Sequence, residues 1–80
     1  MKTKKLSYNY DRGNDILYLS FGAPRPSYCD DVSEGVLARY DMETDELTGY
    51  TIIDFRKRYL ANDPELLGSP IQFDYSSVAL

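Results

Sequence analysis

The chain contains no histidine and no tryptophan, and it has a single cysteine among its 80 residues. Histidine is the commonest general base and the commonest metal ligand in proteins, so its absence removes both roles at once. A Ser–His or Cys–His nucleophile is impossible within one protomer or a homodimer. A structural zinc site needs about four Cys or His ligands, and this chain offers one. We therefore predict a protein that is not an enzyme and that carries no cofactor or metal.

The single thiol, Cys29, has no second cysteine in the chain with which to form a disulfide. Small secreted domains are usually stabilised by several disulfides, so a lone thiol indicates a reducing compartment. The sequence also lacks an apolar run of about 18 residues, and no apolar signal segment follows the lysines near its start. We expect a soluble, cytoplasmic protein without a membrane partner, in which Cys29 is a packing or incidental thiol.

Patterns that bind nucleotides or calcium are incomplete. The five glycines are isolated from one another, which argues against a glycine-rich phosphate loop. Asp41, Glu43 and Asp45 alternate like the start of a calcium loop, but Glu46 stands where that loop requires glycine. A β-turn explains the same acids through hydrogen bonds between side chains and backbone. Paired carboxylates of the glycosidase kind need a deep cleft, which a domain of this size does not supply.

The clearest feature that is present is a repeat, thirty positions apart. The motif is Tyr-Asp, three residues, Asp, one residue and Leu, and its two copies span residues 10–17 and 40–47. Each copy lies between runs of alternating apolar residues, which is typical of a β-hairpin closed by a polar turn. The sequence therefore predicts two hairpins, one after the other.

Four strands follow from this pattern, over residues 5–10, 16–21, 35–40 and 47–55. The second is apolar on both faces, which favours a central position in a sheet. Residues 28–32 add a possible fifth strand at an edge, after a connection in which Pro24 and Pro26 prevent a continuous ladder. Gly49 predicts a bulge or a point of close approach within the last strand.

The pattern changes at Asp54, which is expected to cap a helix over residues 55–60. Residues 62–68 predict a second, very short helix with proline in its first turn and glycine at its end. Alternating apolar residues over 71–75 indicate a final edge strand or an extended arm, and residues 76–80 are expected to fray.

These elements make one domain over residues 1–80, with its core in residues 5–60 and a tail over 61–80. The predicted class is α+β, mainly β. The predicted architecture is an antiparallel four-stranded meander, with a possible fifth edge strand and a short C-terminal helix.

The net charge of −4 is unevenly distributed along the chain. Seven carboxylates lie between residues 30 and 46 against one cation, Arg39, whereas basic residues gather near the N-terminus and after residue 55. Such asymmetry favours steering towards a charged partner, although solvated turns and edges carry the same acids. We predict a protein-binding module for a small basic protein, with contacts from Tyr28, Asp30, Asp31, Glu34, Glu43, Glu46 and Tyr50.

Other interpretations remain open. Arg56, Lys57 and Arg58 beside exposed tyrosines are consistent with weak nucleic-acid binding, although the acidic balance of the chain opposes it. The proline-rich loop is consistent with a domain that binds a small ligand or a divalent metal, and a purely structural accessory is the third alternative. We expect a homodimer, because a chain this short buries only roughly 60–65% of its unfolded surface and association covers exposed sheet.

Three features occur in a characteristic order: the two Tyr-Asp turns, an acidic loop before Gly35-Val36, and a segment containing Ile52-Ile53-Asp54. In this order they resemble a family of small bacterial domains of unknown function, which pair two such hairpins and end in an Ile-Leu-Asp-like segment. The resemblance covers about residues 6–58. It implies a compact antiparallel sheet with a short C-terminal helix. Some relatives look like partners of small toxins, which implies an antitoxin-like role, and the resemblance supplies no catalytic residues.

Overall fold

The computed structural model describes residues 6–22, 25–69, 71 and 73–78. Its elements are β1 (Leu6–Asp11), β2 (Ile16–Phe21), β3 (Ser27–Ser33), β4 (Val36–Asp41), β5 (Leu47–Ile53), α1 (Phe55–Leu60), α2 (Pro64–Leu67) and a 3-10 turn (Tyr75–Ser77). The five strands form one antiparallel sheet, which confirms the predicted mainly β, α+β class with a C-terminal helix. Lys5, the expected start of the first strand, lies outside the described residues.

The strand order in the sheet is β1-β2-β5-β4-β3, so the chain does not follow a simple meander. A meander would place β3 beside β2, whereas β2 pairs with β5 and the second hairpin docks through its last strand. The apolar side chains of β2 and β5 explain this order, because both strands need neighbours on each side and cover on one face. Among the described strands, β1 and β3 are therefore the two edges of the sheet.

The apolar core lies on one face of the sheet. Cross-strand pairing places Leu17 beside Ile52 and Leu19 beside Tyr50, and all four side chains are buried. The segment after β5 covers this face with four further buried residues, which are Phe55, Leu66, Tyr75 and Val78. The buried core thus continues well beyond residue 60.

The C-terminal segment is predicted as an edge strand or an extended arm. The edge strand is wrong, because residues 71 and 73–78 do not pair with the sheet and Tyr75–Ser77 form a 3-10 turn. Asp74 begins this turn, since its carboxylate accepts a hydrogen bond from the Ser76 amide at 3.1 Å. Val78 is only 2% exposed, so fraying does not begin at residue 76 as expected. The predicted short second helix is present as α2, and Asp63 caps it through the Glu65 amide at 3.0 Å.

Aromatic rings hold this C-terminal segment against the sheet. Phe55 is fully buried, and its ring centroid lies 5.7 Å from Tyr10, 5.9 Å from Tyr59 and 5.6 Å from Tyr75. Aromatic pairs at such distances add about 0.5–1.5 kcal/mol to the burial of their area. Phe55 therefore joins the first hairpin, α1 and the C-terminal turn into one core.

The two copies of the repeat form the same turn. Asp11 Oδ1 accepts hydrogen bonds from the amides two and three residues ahead, at 3.0 and 3.3 Å, and Asp41 Oδ1 does so at 2.7 and 3.2 Å. The last aspartates of the motif, Asp15 and Asp45, both adopt left-handed backbone conformations with φ of 54° and 61°. The first aspartate of each motif thus closes the turn, while the last one ends it.

Asp15 also caps helix α1, a contact that joins residues far apart in the chain. Its carboxylate accepts hydrogen bonds from the amides of Arg56 at 2.8 Å and Lys57 at 3.3 Å, and from Tyr10 Oη at 2.6 Å. The predicted capping role of Asp54 is wrong, because its backbone is left-handed, with φ of 54°, and its side chain makes no capping bond. A carboxylate supplied by the neighbouring hairpin takes its place.

Burial raises the pKa of the Asp15 carboxyl, but the hydrogen bonds from Tyr10 and from the two helix amides outweigh it and hold the pKa below its usual value. A carboxyl whose pKa is lower in the folded state stabilises the fold above its unfolded pKa of about 3.9. This contribution is lost as the pH falls through the lower folded pKa.

We expect Asp15→Asn to lower the free energy of unfolding by about 1–2 kcal/mol at pH 7, the usual cost of losing a helix cap. The difference from the unsubstituted chain should shrink below about pH 4, because the carboxylate is then protonated in the unfolded chain. Urea unfolding of the two proteins at pH 7 and below about pH 4 measures this difference in stability. Asp54→Asn is the matched control and should change stability little, because asparagine tolerates left-handed backbone. A larger loss for the control would contradict the assigned cap.

Candidate protein-binding edge

Strand β3 forms an exposed edge of the sheet. Among the described strands it pairs with β4 alone, and residues 28–32 are all exposed, in contrast to the central strands. An edge strand presents a row of backbone N–H and C=O groups without a strand partner. The pairing of β3 with β4 is irregular between Asp31 and Ser33, where the register shifts. The outer side of β3 is therefore available to an extended segment from elsewhere.

Asp30 and Asp31 lie in the middle of this edge strand. Asp30 is opposite Ala38 and Asp31 is opposite Leu37, so the two carboxylates project from opposite faces of the sheet. Within the described part of the chain, neither side chain makes an ion pair or a hydrogen bond. The edge consequently carries two negative charges that no cation of the described residues neutralises.

Tyr28 is the exposed aromatic residue of this edge, and its orientation is fixed. Its side chain is 43% exposed, its ring lies 5.6 Å from that of Tyr40, and its hydroxyl donates a 2.8 Å hydrogen bond to Asp45 Oδ1. That hydrogen bond raises the pKa of Tyr28 above the usual tyrosine value. A ring held in this way loses little side-chain entropy when a partner covers it.

Three further predicted contacts lie at the two ends of β3. Glu34 occupies the turn between β3 and β4, together with Gly35, whose φ of 78° favours glycine. Glu43 and Glu46 belong to the turn between β4 and β5. This turn adjoins the N-terminal end of β3, because the Met42 amide donates a hydrogen bond to the Pro26 carbonyl at 3.1 Å. The structure thus arranges the predicted acidic residues along one edge, over the roughly 23 Å that seven strand residues span.

Tyr50 does not belong to this surface. It lies in β5 opposite Leu19 and Ala38, on the buried face of the sheet, and it is only 7% exposed. The prediction of an exposed aromatic anchor at this position is wrong, because the alternation of β5 turns Tyr50 towards the core. Burial raises its pKa, as expected for a phenol that avoids ionisation away from water.

The predicted basic cluster on α1 is smaller than the sequence indicates. The Arg58 guanidinium donates to Asp63 at 2.6 Å and to the Ile53 carbonyl at 2.9 Å, so it is occupied within the fold. It also packs against Gly35, where a side chain would clash with it. Arg56 and Lys57 remain exposed, but their amides bind the Asp15 carboxylate. Two cations beside a carboxylate form a weak site for a phosphate backbone.

Two surface hollows adjoin this region. A polar hollow of about 510 Å³ lies between α1, α2 and the β3–β4 turn, and its lining mixes Glu34 and Asp63 with Lys57 and Arg58. Another, of about 390 Å³, lies where Arg25 forms a 3.1 Å ion pair with Asp41, beside the proline-rich loop whose residues 23–24 are not described. Over the described residues, no group of three or more metal-ligating side chains is arranged to hold a metal ion.

The turn acids that resemble the start of a calcium loop have structural roles. Asp41 Oδ1 accepts two backbone amides of its own turn, which lower the pKa of Asp41 together with the nearby Arg25. Asp45 accepts the Tyr28 hydroxyl instead. Both carboxylates are thus engaged by donors of the fold. Asp41 acts within its own turn, as the β-turn interpretation predicts, whereas the partner of Asp45 comes from β3.

A comparison of the chain with protein-family models, with curated proteins and with solved structures finds no match. The resemblance to the family of small bacterial domains therefore stays a prediction. None of the helices in the described ranges is long and apolar enough to cross a membrane.

Proposed function

We propose that this protein is a binding module that accepts an extended, basic segment of another protein as an additional strand along β3. The observation that carries this proposal is the exposed β3 edge with two uncompensated carboxylates at its centre. In strand addition, hydrogen bonds between main chains supply affinity, and side chains at alternating positions supply specificity. The module performs no catalytic step, and its action is recognition.

Each part of the edge contributes differently to such binding. Asp30 and Asp31 are adjacent in β3 and lie opposite Ala38 and Leu37, so their carboxylates point to opposite faces of the sheet. Each meets basic side chains on its own face of the added strand. Tyr28, held by Asp45, offers a rigid ring at one end. The glutamates of the two flanking turns raise the rate of encounter with a basic partner, because electrostatic steering acts beyond direct contact.

Asp30 and Asp31 also disfavour one partner at this edge, a second copy of the same chain. If two copies paired through β3 about a two-fold axis, the aspartates of one copy would lie across from those of the other. Like charges opposite each other in a sheet, at about 5 Å, are destabilising. Repulsion thus disfavours self-pairing at this edge and favours a segment of opposite charge.

Selection from a random peptide-display library tests the proposal without knowledge of the natural partner. The peptides that bind should be enriched in lysine and arginine, alternating with β-branched residues. For a selected peptide, Asp31→Lys should weaken binding by about tenfold or more, since the ion pair that Asp31 forms with a basic side chain of the added strand becomes a repulsion.

Glu43→Lys is the matched control, because it makes the same change in charge at the tip of the neighbouring turn. It should weaken binding only about twofold, as expected for long-range attraction alone. Equal losses for the two variants would contradict strand addition and leave only a diffuse acidic surface. Enrichment of peptides without basic residues would contradict the whole proposal.

The finer expectations fit this proposal. A basic toxin that inserts a strand would make the module antitoxin-like, in line with the family resemblance and a bacterial source. The exposed, unpaired Cys29 supports a reducing, cytoplasmic location. A homodimer is also proposed, and it must use a surface other than β3.

A further inference from the structure

The two edge strands, β1 and β3, differ in how they are protected from pairing with another strand. The binding proposed for β3 does not account for this difference. Edge strands are normally protected from pairing by charges, prolines or bulges. β3 has two aspartates and a shift of register, whereas β1 pairs with β2 over six residues without interruption. From Leu6 to Tyr10, β1 contains no charged residue and no proline, and Ser7, Tyr8 and Asn9 are exposed.

We propose that β1 is the edge through which two copies of this chain associate. The occupant is a second β1 strand, antiparallel to the first and related to it by a two-fold axis perpendicular to the sheet. The two five-stranded sheets then join into a continuous sheet of ten strands. Such an interface is isologous and closed, so association stops at the dimer.

The chemistry of β1 suits pairing with itself. In an antiparallel pair related by such an axis, residues of the same face oppose each other, so the buried faces of both copies lie on one side of the joined sheet. If the axis passes through Tyr8, the two Tyr8 rings meet, and Ser7 of each copy lies across from Asn9 of the other. If it passes through Asn9, the two amides meet. Within the six residues of β1, neither register brings charges of the same sign together.

Tyr8 connects this edge to the core. Its side chain is 46% exposed, although its ring packs edge-on against Phe73 with centroids 5.8 Å apart. A shallow hollow of about 330 Å³ runs beside it, lined by Tyr8, Tyr10, Arg12 and Val78 among others. The aromatic side chains of a second β1 lie on the same face and would cover both the Tyr8 ring and this hollow. The extended pair of strands is about 20 Å long, which places the contact at the small end of protein interfaces and makes the dimer weak.

Sedimentation velocity over protein concentrations from about 1 μM to 1 mM tests this inference. The unsubstituted protein should pass from monomer to dimer within that range, as expected for a small interface. Ser7→Lys/Asn9→Lys places lysines across the two-fold axis in either register and should remain monomeric at every concentration. Circular dichroism and urea unfolding of the variant should match those of the parent, because both replaced side chains are exposed.

Cys29→Lys/Val32→Lys is the matched control, since it adds two lysines at exposed positions of the opposite edge. It should dimerise like the parent protein. In a Cys29→Ser background, Tyr8→Cys or Asn9→Cys should form a disulfide-linked dimer on mild oxidation, according to which residue lies on the axis. A parent protein that stays monomeric to 1 mM, or a Ser7/Asn9 variant that still dimerises, would overturn the proposal. Peptide binding at β3 is measured separately and is unaffected by either result.

Discussion

Replacing Gly49 with alanine is expected to lower the free energy of unfolding by about 3–5 kcal/mol, which combines a steric clash with lost hydrogen bonds to a charged group. Gly49 follows the bulge in β5, where the register with β4 shifts between Arg39 and Tyr40. A Cβ at this position would overlap the Leu19 carbonyl and the Arg39 guanidinium. The carbonyl belongs to the backbone of a central strand and cannot move aside.

The same substitution displaces the Arg39 side chain. Its Nη2 donates hydrogen bonds to the Leu19 carbonyl and, at 3.0 Å, to Ser20 Oγ, across the backbone that Gly49 leaves uncovered. Chemical denaturation of the variant measures the loss. Gly13→Ala is the control, because a Cβ there would be 3.5 Å from Asp11 Oδ1, an ordinary contact, and should change stability by less than about 1 kcal/mol. Similar losses for both variants would show that Gly49 is not a close-approach site.

Phe55→Ala is the second change with a large expected effect, about 3–5 kcal/mol, the usual cost of removing a fully buried phenylalanine. The total free energy of unfolding of a chain of this length is about 4–12 kcal/mol, so a large fraction of the stability would be lost. The ring contacts Tyr10, Tyr59 and Tyr75, which belong to three separate parts of the fold. No single neighbour can move to fill the cavity.

Leu60→Ala provides the comparison for Phe55→Ala, because both residues belong to α1 and Leu60 is 62% exposed. It should change the free energy of unfolding by no more than about 0.5 kcal/mol. Thermal and urea unfolding, followed by tyrosine fluorescence, report both variants. If the two substitutions cost the same, the C-terminal segment would not be part of the core that Phe55 holds together.

Local pattern was sufficient to predict the parts of the fold that local chemistry determines. The two hairpin turns follow from Asp11 and Asp41, whose carboxylates bind amides two and three residues ahead. The bounds of α1 agree with the predicted helix over residues 55–60. The edge strand was predicted too, because the two prolines just before it, Pro24 and Pro26, prevent a continuous ladder.

Contacts between distant segments were not predictable from local pattern. The cap of α1 comes from Asp15, some forty residues earlier, whereas Asp54 has the right residue type at the right place in the sequence. The order of strands depends on which strand of the second hairpin pairs with β2, and in this fold it is β5. Tyr50 looks as exposed in the sequence as Tyr28 does. The burial of each tyrosine depends also on the position of its strand, since β5 is central and β3 is at an edge, and alternation alone does not reveal that position.

Amide hydrogen exchange with a selected basic peptide bound tests the central claim most directly, that β3 is the binding edge. Outward-facing amides of residues 27–33 should exchange more slowly when the peptide is present, because new hydrogen bonds between strands protect them. The amides of β1 and α1 should exchange at unchanged rates. Protection confined to α1, or to the hollow between α1 and α2, with β3 unaffected, would contradict the account.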